Sequence, residues 1–214
     1  MNSLKIPIET SARHVHITRK DFETLFGPEA ELIPSKALSQ PGQFAARQRI
    51  IVSGPGGSFE NVVILGPFRD STQVEVSVTD ARKLGIPAII RQSGDLKGTP
   101  GCTLMGPCGT VCLQEGVIVA KRHIHMTPQQ ALLFHVKDND NVFVITESYH
   151  RALIYADVVV RVNKNYALAM HVDTDEANAF ACETEPYGVL LKLFDGTTYS
   201  LHNWAEEILN GIHR

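Results

Sequence analysis

The feature that most constrains the fold of this chain is an internal repeat built around two pairs of histidines. Residues 11–18, Ser-Ala-Arg-His-Val-His-Ile-Thr, return as residues 120–127, Ala-Lys-Arg-His-Ile-His-Met-Thr. Self-similarity of this kind predicts two homologous halves. Each copy ends in a threonine followed by a polar helix opening, so we expect Thr18 and Thr127 to be helix N-caps, with Pro128 at the first helical position.

Short β-branched runs dominate the rest of the chain, which predicts a mainly β protein with short helices. The runs are 50–52, 62–65, 74–78, 142–145 and 158–162. The expected helices are residues 19–26, 79–84, 128–134, 174–180 and 203–210. Residues 190–201 resemble a hairpin that turns at Asp195-Gly196. Strands do not alternate with long helices, which disfavours a doubly wound parallel sheet.

Charge and composition argue against several classes of partner. The formal net charge is -3, and no run of lysine or arginine marks a surface for nucleic acid or for a membrane. The first residues contain no apolar signal region, and the longest apolar runs have the length of strands. We therefore expect an intracellular protein that acts on small molecules. Its four cysteines, Cys102, Cys108, Cys112 and Cys182, are expected as free thiols.

Each histidine pair has the spacing of a metal chelate on a strand. Side chains two residues apart point to one face of a strand, so His14 with His16, and His123 with His125, direct two imidazoles the same way. One such pair is more often structural or solvated. Its duplication at equivalent places in a repeat favours a metal site.

A zinc site needs a third protein ligand, and each half offers one candidate. Glu75 interrupts an apolar alternating strand, and His171 holds a matching place in the second half. An outward-facing strand residue is the alternative for Glu75. The remaining histidines, 135, 150, 202 and 213, are interpreted as surface or structural.

Three arginines lie close to these residues in sequence. Arg69 stands in a loop before Glu75, where a guanidinium could hold a phosphate in a fixed orientation or remain a solvated cation. Arg13 and Arg122 precede the histidine pairs. By strand alternation they lie on the opposite face from the histidines.

Together these motifs resemble the PduL-type phosphotransacylases, also called phosphate propanoyltransferases. The resemblance covers roughly residues 6–180. The matching segments are 11–18, 38–45, 65–67, 72–77, 79–85, 91–96, 115–127 and 170–178. Cys108 is a departure, because the family has a glycine-flanked basic residue there, and this change could alter contact with coenzyme A.

The resemblance implies two small β-barrels with exchanged strands, capped by short α-helices. One barrel would comprise residues 1–12 and 121–190, and the other residues 13–120 with a small insertion near 27–47. Residues 181–214 continue beyond the matched region, and their own pattern predicts a C-terminal hairpin and helix in residues 191–214.

The resemblance also implies two zinc ions per chain. The ligands of one would be His14, His16 and Glu75, and those of the other His123, His125 and His171. Arg69 would hold phosphate. The positions expected near coenzyme A are Ser11, Lys36 and Asn178.

The implied reaction reversibly converts a short-chain acyl-CoA, propanoyl or acetyl, and phosphate into acyl phosphate and coenzyme A. Because no arrangement of serine, cysteine and histidine suggests an acyl-enzyme, we expect zinc-assisted direct attack by phosphate. We expect a homodimer or larger homo-oligomer. The family includes enzymes of propanediol degradation in bacterial microcompartments, but only ten residues precede Ser11, so we expect a cytoplasmic enzyme. The alternatives are a zinc hydrolase and a sensor that binds coenzyme A or a metal.

Overall fold

The computed structural model describes residues 5–146, 151–181 and 186–191, which form a mainly β protein with short helices. The first ten strands are β1 (Lys5–Ser11), β2 (His14–His16), β3 (Pro34–Ala37), β4 (Phe44–Gly54), β5 (Gly57–Gly66), β6 (Gln73–Glu75), β7 (Ile90–Arg91), β8 (Cys102–Met105), β9 (Thr110–Leu113) and β10 (Val117–Ala120). The others are β11 (His123–Met126), β12 (Asn141–Thr146), β13 (Ile154–Val162), β14 (Ala169–Asp173) and β15 (Tyr187–Leu190). The helices are α1 (Arg19–Phe26), α2 (Val78–Leu84), α3 (Pro128–Phe134) and α4 (Thr174–Ala179).

The chain divides into two compact units. The first-half unit is Ser11–Lys121, and the second-half unit combines Met1–Thr10 with Arg122–Arg214. The second-half unit holds a closed barrel in the order β1-β14-β11-β13-β12-β15. The first-half unit holds a nine-stranded sheet in the order β7-β10-β6-β2-β5-β4-β8-β9, with β3 beside β4.

The predicted exchange of strands is confirmed by this topology. Strand β1 precedes the first histidine pair in sequence, yet it pairs with β14 and β15 in the barrel of the second-half unit. Strand β10 precedes the second pair, yet it pairs with β6 and β7 in the other sheet. Burial stabilises the exchange, because Ile6 lies in the core of the barrel, and Val117 and Val119 lie in the core of the first-half unit.

Both histidine strands have the same neighbours, which extends the repeat from sequence to register. Strand β2 lies between parallel β5 and antiparallel β6, and β11 lies between parallel β13 and antiparallel β14. Even the irregularities match. Asn61 and Asp157 both have positive φ, 58° and 54°, at equivalent bulges of β5 and β13. A left-handed residue within the bulge lets each long strand bend.

Capping side chains set where the helices begin. The predicted N-caps Thr18 and Thr127 are confirmed, since their hydroxyls accept from the backbone N–H groups of Asp21 and Gln130. The expectation of a strand over residues 74–78 was wrong at its end. Ser77 caps α2 in a capping box with Asp80, so the strand stops at Glu75 and the helix starts at Val78.

The expected helices near residues 19, 79, 128 and 174 are all present within one residue of their predicted bounds. The expected helix 203–210, and the part of the expected hairpin beyond residue 191, lie outside the described residues. Among the helices that the structure describes, none is long and apolar enough to cross a membrane.

Candidate metal centres

The first histidine pair and Glu75 form a compact cluster, named here the first cluster, on one face of the β2–β6 strand pair. His14 lies directly opposite Glu75 in the antiparallel register, and His16 lies opposite Gln73. All three candidate ligands are nearly inaccessible, with exposed fractions of 4% for His14, 4% for His16 and 9% for Glu75. Burial of two imidazoles and a carboxylate together calls for a compensating partner.

The distances within the first cluster fit a single zinc ion. Nε2 of His14 lies 3.1 Å from Nε2 of His16, and the Glu75 oxygens lie 3.5 Å and 3.6 Å from these two nitrogens. Tetrahedral zinc with bonds of about 2.0–2.2 Å separates its ligand atoms by about 3.3–3.6 Å. The donor set of two imidazoles and one carboxylate also suits zinc, so both geometry and chemistry fit the ion.

Local contacts prepare the His14 ring as a ligand. Its Nδ1 lies 2.9 Å from the carbonyl oxygen of Ala12, which can only accept, so Nδ1 carries the hydrogen. In the neutral ring the Nε2 lone pair therefore points at the cluster. Burial, the strongest single influence, disfavours the charged ring, but the Glu75 carboxylate outweighs it and the pKa of His14 is raised.

His16 is held neutral by its surroundings. Burial and the neighbouring charge of His14 lower its pKa to about 3, against an opposing pull from Glu75. At neutral pH the ring is uncharged, and the neutral ring is the form that binds metals.

The second histidine pair forms an equivalent group with His171, named here the second cluster. His123 lies directly opposite His171 in the β11–β14 register, as His14 lies opposite Glu75. The ring centroids lie 4.6 Å, 5.0 Å and 5.1 Å apart, and the ligand atoms all lie within 4.8 Å of one another. Three imidazoles are also a known catalytic zinc set.

A carboxylate contacts the second cluster from behind one of its rings. Oε2 of Glu9, on β1, lies 3.6 Å from Nδ1 of His171. A carboxylate at Nδ1 favours a hydrogen on that nitrogen and leaves Nε2 for a metal. The exchanged strand therefore contributes to the cluster of the unit that it joins.

The arginine before each histidine pair connects its strand to a helix. Arg13 donates two hydrogen bonds to Asp80, of 3.0 Å and 2.7 Å, and Arg122 donates one of 2.6 Å to Glu176. Asp80 is the third residue of α2, which follows strand β6 with Glu75, and Glu176 is the third residue of α4, which follows strand β14 with His171. Each guanidinium also stacks on a ring of the parallel neighbour, Phe59 at 4.1 Å and Tyr155 at 5.3 Å.

Arg69 lies beside the first cluster. Its backbone N–H donates to Ile17, and its guanidinium Nη1 donates to the hydroxyl of Ser93 at 3.2 Å. Its charge is among the influences that lower the pKa of both His14 and His16. A fixed cation next to a candidate metal centre is suited to holding an anion.

The three positions proposed to contact coenzyme A lie on separate elements. Ser11 ends β1, Lys36 is exposed on β3, and Asn178 is exposed on α4. Their part in binding remains a prediction.

The histidines and cysteines outside the clusters have structural or surface positions where the structure describes them. His135 adopts a left-handed conformation and ends α3, whereas His150, His202 and His213 lie outside the described residues. The thiols of Cys102, Cys108 and Cys112 are free, as expected, and Cys182 is outside the described part. Burial, reinforced by Cys112, raises the pKa of the Cys102 thiol to about 12, so this group is no thiolate nucleophile.

Sequence reasoning missed two residues that bind Glu75. Gln73 donates to Oε1 of Glu75 at 2.5 Å, and the Ser93 hydroxyl donates to the same oxygen at 3.2 Å. A signal for Gln73 was present, because Gln73, Glu75 and Ser77 form a polar alternation within an apolar strand. No local pattern indicates Ser93, which a loop brings to the cluster.

Comparison with known proteins shows which family this chain resembles. The family model described as phosphate propanoyltransferase matches residues 7–183. The phosphate propanoyltransferase of Thermotoga maritima is 54% identical over 84% of this chain and 85% of its own length. Those of Enterococcus faecalis and Salmonella typhimurium are 52% and 50% identical, over 86% and 84% of this chain and 87% and 85% of their own lengths. This chain therefore belongs to the phosphate propanoyltransferase family of acyltransferase enzymes.

Proposed function

We propose that this protein is a phosphate acyltransferase that converts a short-chain acyl-CoA and inorganic phosphate into acyl phosphate and coenzyme A, with one zinc ion at each cluster. Family membership supports the reaction class. The observation that carries the metal centres is the matched register of His14 with Glu75 and of His123 with His171. Propanoyl and acetyl groups are the proposed acyl groups, and the reaction is proposed to be reversible.

In this reaction a phosphate oxygen bonds to the thioester carbonyl carbon, and the carbon–sulfur bond breaks to release the thiol of coenzyme A. Zinc, when bound, supplies Lewis-acid stabilisation of anionic oxygen. Arg69 is proposed to hold phosphate beside the first cluster, because its guanidinium is the cation fixed there by Ser93. Neutral His16 and the oriented His14 serve as ligands rather than as proton carriers.

The described thiols favour direct transfer over an acylated enzyme. Cys102 is buried and protonated, and Cys108 and Cys112 lie in the β8–β9 hairpin, exposed at the surface. Attack by bound phosphate needs no protein nucleophile. Ser11, Lys36 and Asn178 are proposed to contact coenzyme A. We also propose a cytoplasmic homodimer or larger homo-oligomer.

The test is phosphate-dependent release of free thiol from propanoyl-CoA and acetyl-CoA, with acyl phosphate trapped as its hydroxamate. We expect thiol and hydroxamate in equal amounts, and a loss of at least about 10³-fold in turnover for His14→Ala, as expected when several kcal/mol of charge stabilisation are removed. The exposed Leu132→Ala serves as a control that should retain turnover. Thiol release that ignores phosphate would identify a hydrolase, and no release would favour a sensor.

A further inference from the structure

Hydrogen bonds join the side chains of Glu75, Gln73 and Ser93 in a ring. Gln73 is only 1% exposed, and its amide Nε2 lies 2.5 Å from Oε1 of Glu75 and 2.8 Å from the Ser93 hydroxyl. Its amide oxygen accepts the backbone N–H of Gly94 at 2.7 Å. Because Gly94 N–H can only donate, it fixes which way the Gln73 amide points.

The numbers of donors and acceptors also fix the direction of the Ser93 hydroxyl hydrogen. Its oxygen receives hydrogen bonds from Nε2 of Gln73 and from Nη1 of Arg69. A serine oxygen accepts two such bonds, so its single hydrogen is left to donate to Oε1 of Glu75. Two donors thus converge on Oε1 of Glu75, which also lies 3.6 Å from Nε2 of His16, whereas Oε2 lies 3.5 Å from Nε2 of His14.

The second cluster lacks this arrangement. The position opposite His16 is Gln73, and the corresponding position opposite His125 is Ala169. The ligand there is His171, a ring with fewer rotational choices, which is contacted by Glu9 instead. The amide therefore accompanies the carboxylate ligand and is absent where the ligand is an imidazole.

From these contacts we infer that Gln73 is a positioning residue for the first cluster. Together with Ser93 it holds Oε1 of Glu75 and so fixes the orientation of the carboxylate towards a metal ion. The same hydroxyl accepts a hydrogen bond from Arg69 and donates one to Glu75. Ser93 therefore connects the proposed phosphate-binding cation to the proposed metal ligand. This inference rests on the proposed zinc centre.

The experiment measures zinc dissociation constants by competition with a chromophoric chelator, in the full chain carrying His123→Ala and His125→Ala so that only the first cluster is titrated. Gln73→Met keeps the length of the side chain and removes its hydrogen bonds. We expect its zinc affinity to fall about 10- to 100-fold, the usual effect of losing an outer partner of a ligand. Ser93→Ala should weaken binding by a smaller factor, about tenfold.

Two controls separate positioning from general damage. Ser93→Thr keeps the hydroxyl and should restore the zinc affinity of the parent. Gln130→Met also removes an amide from a backbone hydrogen bond, in the capping box of α3, and should leave the first cluster unchanged. If Gln73→Met does not fold, the Ser93→Ala and Ser93→Thr pair alone decides the question.

The outcomes distinguish this inference from the proposed function. A parent that binds zinc, with Gln73→Met and Ser93→Ala unchanged in affinity, would overturn the positioning role and leave the metal centre intact. Equal weakening by Gln130→Met or by Ser93→Thr would show a loss of stability instead and would also overturn the role. A parent that binds no zinc at the first cluster would overturn the centre and this inference together.

Discussion

The two clusters have equivalent strand register, but a carboxylate lies at a different position in each. In the first cluster Glu75 is itself a candidate ligand, whereas in the second cluster the Glu9 carboxylate contacts the candidate ligand His171. Strand register and helix caps are otherwise repeated between the units. A duplicated fold has thus conserved the positions of three side chains while changing the charge that they carry.

This difference changes what each proposed zinc centre can do. Two imidazoles and a carboxylate would leave one net positive charge on a zinc complex, and three imidazoles would leave two. Arg69 adds a cation beside the first cluster, where its charge can offset the attraction for anions that the Glu75 carboxylate removes. We therefore expect the two centres not to be interchangeable.

Among the changes that compare the two clusters, the largest expected effect comes from exchanging the proposed third ligands. Glu75→His would make the first cluster a copy of the second, and zinc should still bind. Turnover should fall about 10- to 100-fold, because the ring cannot use the donors of Gln73 and Ser93. Steady-state kinetics with metal analysis of the same sample measures both quantities.

The reverse exchange, His171→Glu, should be more harmful. It places a second carboxylate near Glu9, whose Oε2 lies 3.6 Å from Nδ1 of the present ring, and like charges at such a distance repel. The metal-free variant should melt at a lower temperature than metal-free Glu75→His. Equal turnover in both variants and the parent would show that the carboxylates are interchangeable.

An intermediate effect is expected from Arg69→Lys, which tests the cation found beside the first cluster. Lysine keeps the charge and loses the planar fork that binds an oxyanion at two points. The KM for phosphate should rise and turnover fall, by about tenfold, the loss of one charged hydrogen bond of about 1.4 kcal/mol. Zinc content should stay normal. Unchanged phosphate kinetics would make Arg69 a solvated loop cation.

The smallest effect on catalysis is expected from the two arginines that connect strand to helix. Arg13→Ala and Arg122→Ala should each lower the free energy of unfolding by about 1–2 kcal/mol, since each removes charged hydrogen bonds from a partly exposed pair. Zinc stoichiometry should not change. Denaturant unfolding provides the measurement.

Arg19→Ala is the matched control for these two arginines. Its contact with Glu23 is exposed and 3.9 Å long, so its loss should cost less than about 0.5 kcal/mol. If Arg19→Ala lowers the free energy of unfolding as much as Arg13→Ala does, the hydrogen bonds between strand and helix have no special role in stability.

Local sequence patterns predicted the features of this protein that are repeated between the halves or that follow the periodicity of a strand or helix. The histidine pairs, the placing of Glu75 and His171 beside them, and the four described helices were all identifiable from spacing, capping residues and resemblance. The supporting contacts were not, because they join residues far apart in sequence. Arg13 meets Asp80 67 residues later, and Ser93 meets Glu75 across 18 residues.

The most direct test of the central claim, that both clusters are zinc centres, is anomalous diffraction at the zinc absorption edge from crystals of the untreated protein. The account predicts two peaks per chain, one bonded to His14, His16 and Glu75, and one bonded to His123, His125 and His171. Bond lengths should be about 2.0–2.2 Å. A single peak, no peak, or a peak bonded to other residues would contradict it.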